Sequence, residues 1–377
     1  MTIRFLHTSD WQLGMTRHFL SDEAAARFSQ DRIDAIKRLG ELAKEHDAAF
    51  IVVSGDVFES NQISRQTVLR AIEALKTLPV PIFLLPGNHD PLDASSIFST
   101  QEFMEAGEHI IVIRDMQPIP VPGLDDVEVV GAPWRTKHPD SDLCAALLAV
   151  SEPSVGVTRV AVCHGQPDTL SPDKGRPELI NLAKAEEGIA NGHIHYLALG
   201  DRHSVTEVGY TGRIWFSGAP VATDFTEDNP NKTLLVELNA ERCEVTKLDI
   251  GHWLFIAEHF DLNDADDLGR VAEWLVSLPD KERTIVKLGF TGTVNLATAA
   301  ALDTLLDMQA ELFASLRKRE RTTELSIAPD ELDQDSVNLS GYAREAWDEL
   351  LAAASTDPEA QDALRLFYRL SQRGGTR

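Results

Sequence analysis

Short apolar runs alternate with longer stretches of helical spacing through the first ninety residues of the chain. Ile3, Phe5 and Leu6 form a brief strand-like run that ends in His7-Thr8-Ser9-Asp10. Residues 22–46 then place Ala25, Phe28, Ile33, Ile36, Leu39 and Leu42 at helical intervals, with charges between them. Ala48 to Ser54 is almost continuously apolar, as expected of a strand buried on both faces. A second helix is predicted over 62–77 and another buried strand over Pro81 to Pro86. This β-α-β-α-β alternation specifies a layered α/β domain. Further strands are expected at 109–113, 127–131 and 157–163. Four more, at 205–210, 213–216, 232–238 and 243–249, are expected to complete a second sheet stacked on the first.

The pattern changes near residue 251. A strand at 253–261, a helix at 264–278, a strand at 283–290, a helix at 295–317 and a strand at 321–327 describe a small separate α/β module. The acidic stretch 329–340 reads as a linker, and 341–371 as two amphipathic helices. Three segments are therefore expected: 1–250, 251–328 and 329–377.

Metal-binding residue types recur where the apolar runs of the first segment end. They occur in His7-Thr8-Ser9-Asp10-Trp11-Gln12, Gly55-Asp56-Val57-Phe58-Glu59, Gly87-Asn88-His89-Asp90, Cys163-His164-Gly165 and Gly192-His193-Ile194-His195. Loops beyond the carboxyl ends of strands converge in open α/β folds, and ligands bind there. Alone, each motif has an ordinary explanation: a turn at Gly55-Asp56, a helix cap at Asn88, a core or surface histidine. Their joint, ordered occurrence favours a metal site. Asp10 and Asp56 offer carboxylates, Asn88 a neutral oxygen, and His164, His193 and His195 imidazole nitrogens. Such a set suits two divalent ions for phosphoryl chemistry. Its mixed donors suit Mn²⁺, Fe²⁺ or Zn²⁺ better than Mg²⁺ or Ca²⁺. His89 would stand beside the metals as a proton donor or a stabiliser of charge on phosphorus, with Asp90 orienting it. His7, His138 and His203 read as structural or surface residues, and of these three only His203, near the motif loop, is placed to line the site, as a residue behind the ligands.

Charge narrows the substrate. The formal net charge is −25, so the chain as a whole repels a polyanion. A nucleic-acid substrate would require a local basic groove or a partner subunit. Cys144, Cys163 and Cys243 show no CxxC spacing and read as reduced thiols of a cytoplasmic protein. No run approaches the ~18 apolar residues of a membrane span. Met1 to Leu6 reads as a strand and not as a signal peptide.

These motifs resemble the calcineurin-like metallophosphoesterase superfamily, whose hallmarks run D-x-H, GD, GNH[DE], H and GHxH. With the Ser217-Gly218-Ala219-Pro220 turn, they look most like the SbcD-type nuclease subunits of DNA double-strand-break repair. The resemblance covers residues 1 to about 250. It implies a four-layer α/β/β/α sandwich, followed by a small α/β capping domain and C-terminal helices that dock on an SMC-like ATPase. It also implies a homodimer and a Mn²⁺-dependent exonuclease or endonuclease. One metal would take Asp10, Asp56 and His195, and the other Asp56, Asn88, His164 and His193. Two positions depart from the pattern. Gln12 replaces the histidine of D-x-H, and Glu59 stands near where some relatives have another orienting histidine. Three roles are open to Gln12: a weaker oxygen ligand, a hydrogen-bond partner of metal-held water, or a mark of decayed catalysis in a DNA-end-binding subunit. A phosphodiesterase on small nucleotides or other phosphoesters is the competing enzyme.

Overall fold

The computed structural model describes residues 2–153, 156–239, 241–319, 321, 323–327, 339, 341–354 and 356–374. The acidic stretch 329–340 therefore lies outside the described residues, Leu339 excepted. The chain forms two compact units: Met1–His18 with Ala25–Trp253, and Phe19–Ala24 with Leu254–Arg377. No helix among the described residues is long and apolar enough to cross a membrane.

Two six-stranded sheets make up the first unit. The first contains β1 (Ile3–Thr8), β2 (Phe50–Val53), β3 (Ile82–Leu84) and β4 (Ile110–Val112), all parallel. The second contains β5 (Ile119–Pro120), β6 (Val127–Gly131), β7 (Thr158–His164), β8 (Tyr196–Gly200), β9 (Thr206–Val208) and β10 (Ile214–Phe216). Its order is β5-β6-β7-β8-β10-β9. The strands β11 (Lys232–Leu238) and β12 (Cys243–Asp249) return to the first sheet, giving β12-β11-β1-β2-β3-β4. This corrects the expectation that the last four strands share one sheet. β11 pairs antiparallel with β1 along one edge and with β12 along the other, and these ladders place both strands in the first sheet.

Helices α1 (Asp22–Glu45) and α2 (Arg65–Leu75) are the crossovers from β1 to β2 and from β2 to β3. Both bury an apolar face, including Ile36, Leu39 and Leu42 on α1 and Ala71 and Leu75 on α2. Ser64 caps α2 by accepting from the Thr67 amide at 3.2 Å. Alternation along the strands divides the core. Phe5, Phe50, Phe83, Val160 and Val162 fill the space between the sheets. Ala161, Cys163, Leu197 and Leu199 face outward, where Leu147 of one helix (Leu143–Val150) and Ala185 of another (Leu182–Ala190) cover them. The result is the expected α/β class with stacked sheets.

The second unit carries β13 (Leu254–Asp261), β14 (Thr284–Val294), β15 (Ser315–Lys318) and β16 (Glu324–Ile327), with β14 pairing all three others in parallel. The helix expected over 295–317 is shorter, Leu296–Ala310, because Ser315–Lys318 pairs with β14 instead. The two C-terminal helices, Tyr342–Ala353 and Pro358–Gly374, bury Trp347, Leu364 and Tyr368 against Leu296 and Ala300.

One buried polar group ties the two sheets together beneath their carboxyl ends. His7 of β1 is fully buried; its Nε2–H donates to the Leu199 carbonyl of β8 at 3.2 Å, and Nδ1 accepts from the Tyr196 hydroxyl at 3.1 Å. Burial pushes its pKa down to about 3, so it stays neutral when folded. Unfolded, the same imidazole titrates near its ordinary 6.5 and takes up a proton that the folded state refuses. Its contribution to stability is therefore complete above pH 6.5 and lost as pH falls toward 3. In urea titrations of wild type and His7→Gln, the wild-type advantage should shrink by about 1.4 kcal/mol for each pH unit below 6.5. A constant difference between pH 7.5 and 5 would mean that folded His7 charges.

Candidate metal centre

Five loops meet where parallel strands of both sheets end. β1 delivers Asp10 and Gln12, β2 delivers Asp56, β3 delivers Asn88 and His89, β7 ends in His164, and β8 delivers Asp201 and His203. Donor atoms of Asp10, Asp56 and His164 lie within 4.8 Å of one another, and all three residues are buried. The loops are tight. Gly87 leaves no room for a side chain, since a Cβ there would lie 2.2 Å from Asp56 Oδ1. Four site residues hold left-handed backbone: Asp10 (φ 52°), Gln12 (φ 45°), Asp56 (φ 53°) and Asp201 (φ 99°). Strain of this kind persists where surrounding structure enforces it, often at functional sites. Here the Asp10 amide donates to Gly55 at 3.1 Å and the Gln12 amide to the Asp56 carbonyl at 2.9 Å.

The donors form two nests. In one, His164 Nε2 lies 2.7 Å from Asn88 Oδ1, 3.4 Å from Asp56 Oδ2 and 3.9 Å from Asp201 Oδ1. Its Nδ1–H donates to the Ser54 carbonyl at 2.8 Å, which leaves Nε2 to face the site. In the other, His203 Nε2 lies 3.9 Å from Asp10 Oδ1 and 3.2 Å from Gln12 Nε2. Glu227 accepts from His203 Nδ1 at 3.2 Å, with the Thr223 hydroxyl at 2.6 Å. Ser9 Oγ donates to Asp10 Oδ2 at 2.6 Å and contacts Ser217 Oγ at 2.8 Å, so the Ser217-Gly218 turn braces the first ligand loop.

Burial is the largest single influence on each ligand group, and neighbouring charges decide whether it prevails. It raises the Asp10 carboxyl above its ordinary range, against the pull of His203 and His164. Burial also acts on Asp56, but the charge and hydrogen bond of His164 outweigh it and hold that carboxyl low. Burial lowers His164, yet Asp56 and Asp10 overcome this and hold its imidazolium well above the usual range. The His164 proton thus acts as a counter-charge to the two carboxylates. The residues fit divalent metal: two buried carboxylates converge, imidazole nitrogens face them, and Gln12 Oε1 is buried without a hydrogen-bond partner. A bound ion would take the place of the His164 proton.

Asp10, Gln12, Asp56, Asn88, His89 and His164 come together as the strand-end pattern indicates. His193 and His195 do not. Both precede β8, and the His195 Nδ1 accepts from the Arg159 amide at 3.0 Å, beside the start of β7. His164, at the far end of β7, pairs instead with Gly200. A strand of five residues spans roughly 13 Å, too far for a shared ion. The residues that do reach the site are Asp201 and His203, in Gly200-Asp201-Arg202-His203 directly after β8. A signal for them exists: Tyr196 to Gly200 is an uninterrupted buried run, and the motif after it obeys the strand-end rule. Glu227 and Thr223 carry no such signal, since only the fold brings them to His203.

Two supporting roles also change. Asp90 does not touch His89. Its Oδ2 accepts from the Phe58 amide at 2.9 Å and its Oδ1 from Gly87 at 2.8 Å, locking two ligand loops together. Burial and the Asp56 charge push its pKa up to about 7 despite those donors. His89 is oriented by Glu59 instead, through the backbone: its Nδ1–H donates to the Glu59 carbonyl at 3.0 Å. Its amide donates to Asp56 Oδ1 at 3.0 Å, and Nε2 is left 3.9 Å from Asp56 Oδ2.

A family model for calcineurin-like phosphoesterases matches residues 3–197. The DNA double-strand break repair protein Mre11 of Archaeoglobus fulgidus is 28% identical over 212 residues, 51% of this chain and 46% of its own. A subunit of the nuclease SbcCD of Bacillus subtilis is 32% identical over 136 residues, 34% of this chain and 33% of its own. A probable cyclic nucleotide phosphodiesterase of Pseudoalteromonas is 23% identical over 203 residues, 51% of this chain and 71% of its own. The chain spans about half the length of the Mre11 relatives it matches, 46% and 49% for two of them.

Alanine at His203 should weaken Mn²⁺ binding by roughly tenfold or more, whereas alanine at His193 or His195 should leave it within about twofold of wild type. Calorimetric titration of the chelator-stripped protein measures both. Loss of binding in His195→Ala with none in His203→Ala would reverse the assignment.

Proposed function

This chain belongs to the calcineurin-like phosphoesterase family, a hydrolase acting on ester bonds, and from that premise we propose that it is a two-metal nuclease cleaving phosphodiesters of DNA. The observation that carries the reading is the convergence of Asp10, Asp56, Asn88 and His164 with His89 alongside. Asp10, Gln12, Asp56 and His203 would hold one divalent ion, and Asp56, Asn88, His164 and Asp201 the other. Mn²⁺ is the ion proposed for both. Bound ions of this kind supply Lewis acidity at the phosphoryl oxygen and lower the pKa of water.

The chain's own residues account for the proton. Water adds to phosphorus and the ester P–O bond breaks. The leaving oxygen takes a proton from His89 Nε2, and the proton shed by the attacking water restores it after turnover. His89 suits this role because Nδ1–H is committed to the Glu59 carbonyl, so proton exchange runs through Nε2. The Asp56 carboxylate lies 3.9 Å from Nε2, on the side of the ring that faces the site.

Similarity to relatives named for double-strand-break repair and for a nuclease supports DNA as the substrate. The net charge of −25 supports dependence on a partner for DNA capture, and we propose an SMC-like ATPase in a homodimeric, cytoplasmic assembly. The helix Pro358–Gly374 leaves Leu366 and Leu370 exposed while its other face is packed, a stripe suited to that partner. A second reading is a phosphodiesterase on cyclic nucleotides. The Pseudoalteromonas relative, matched over 71% of its length, favours it, as does the acidic charge.

Duplex DNA, single-stranded DNA and a cyclic nucleotide should be compared as substrates with Mn²⁺. The expected result is cleavage of linear DNA, with kcat reduced about 10²–10⁴-fold by His89→Ala while Mn²⁺ affinity is retained. Hydrolysis of the cyclic nucleotide alone would replace the nuclease reading with the second one.

A further inference from the structure

The two nests share an unusual composition. Each contains one imidazole, His164 in one and His203 in the other. All remaining donors are oxygens: Asp10, Gln12, Asp56, Asn88 and Asp201. The D-x-H and GHxH hallmarks would put an imidazole at both Gln12 and Asp201. This chain has exchanged nitrogen for oxygen twice, and the exchanges fall on different nests. Gln12 is a donor in waiting. It is 3% exposed, its amide reaches His203 Nε2 at 3.2 Å, and its Oε1 lacks any hydrogen-bond partner. The fold also holds Asp201 in place. Its backbone N–H donates to both carboxylate oxygens of Asp10 at 3.2 Å, and its own Oδ1 lies 3.9 Å from His164 Nε2. Asp10, Asp56 and Asp201 together bring three formal negative charges.

We infer that this donor set selects hard divalent ions, Mg²⁺ and Mn²⁺, over Zn²⁺. The inference rests on the two-metal reading above. Mg²⁺ accepts oxygen donors and carboxylate charge almost exclusively, and Mn²⁺ tolerates both oxygen and nitrogen. Zn²⁺ draws its advantage from imidazole and thiolate, and losing one imidazole per ion removes part of that advantage. The exchange shifts the preference away from the Fe²⁺ and Zn²⁺ that the sequence allows when two of the three imidazoles are assigned to His193 and His195, and toward Mg²⁺.

The test uses the full chain after chelator treatment. Titration calorimetry gives affinities for Mg²⁺, Mn²⁺ and Zn²⁺ in the wild type, Gln12→His, Asp201→His and the double variant. Electron spin-echo modulation of bound Mn²⁺ counts coordinated nitrogens. The expected wild-type signature is one nitrogen per ion. The Zn²⁺-to-Mn²⁺ affinity ratio should rise roughly tenfold with each histidine introduced. Asp201→Asn, which keeps an oxygen donor and loses the charge, should bind all ions more weakly with the ratio unchanged. Two nitrogens per wild-type ion, or a ratio already equal to that of the double variant, would overturn the selectivity and leave the two-metal reading standing. A wild-type protein that binds no divalent ion would overturn both. If the double variant fails to fold by circular dichroism, the wild-type nitrogen count decides alone.

Discussion

Asp10 and Asp56 are 0% and 2% exposed and their donor atoms come within 4.8 Å, so two buried carboxylates share one pocket. Like charges this close, removed from water, repel and lose hydration together. The surrounding structure answers that constraint. His164 carries a compensating proton, backbone amides of Asp201 and His89 donate to the two carboxylates, and Ser9 adds a hydroxyl. A divalent cation is the remaining, and strongest, form of compensation. The arrangement is therefore organised around positive charge arriving from outside the chain.

Holding such a pocket requires rigid geometry, and two sheets are needed to provide it. Asp10, Asp56 and Asn88 come from the first sheet, and His164, Asp201 and His203 from the second. Phe5, Phe50 and Phe83 pack between the sheets, with Phe5 and Phe50 stacked at 4.8 Å, and fix their separation. His7 then sets the register of β1 against β8 by bonding Tyr196 and Leu199. Asp90 does the same within the first sheet, tying the loop after β2 to the loop after β3. Each brace is a buried polar group whose protonation is shifted by burial, so the site's precision depends on groups that must stay uncharged or fully bonded.

Much of this was legible in the sequence because it follows from local pattern. The continuous apolar runs at 50–53 and 82–84 mark strands buried on both faces, and the ligand residues follow them directly. The acidic-polar ligand loops after β1, β2, β3 and β7 could be read for the same reason. What escaped was set by tertiary pairing. β11 reads as one more strand, and only its pairing with β1 reveals the sheet it joins. Glu227 reaches His203 from 24 residues away, a relation that no periodicity encodes. Asp90 looks like a partner for the adjacent His89, but a carboxylate beside an imidazole in sequence can point to opposite sides of a tight loop.

The misplaced pair His193-Ile194-His195 shows why strand polarity outranks motif spelling. Its letters match a metal-binding signature, and yet the residues stand at the amino end of β8, with His195 bonded to the backbone of β7 at its start. Parallel strands present their carboxyl ends to one side of the sheet, so a ligand motif at an amino end lies a strand's length from the site whatever its composition. Gly200-Asp201-Arg202-His203 matches the signature less well by spelling and fully by position. Its departure in spelling then acquires meaning. The residue at the first ligand position is an aspartate, and the residue in the D-x-H position is a glutamine. Both put oxygen where nitrogen is expected, around a pocket already short of positive charge. The electrostatic demand that shapes the site and the donor exchange that tunes it act in the same direction, toward small, hard, doubly charged ions.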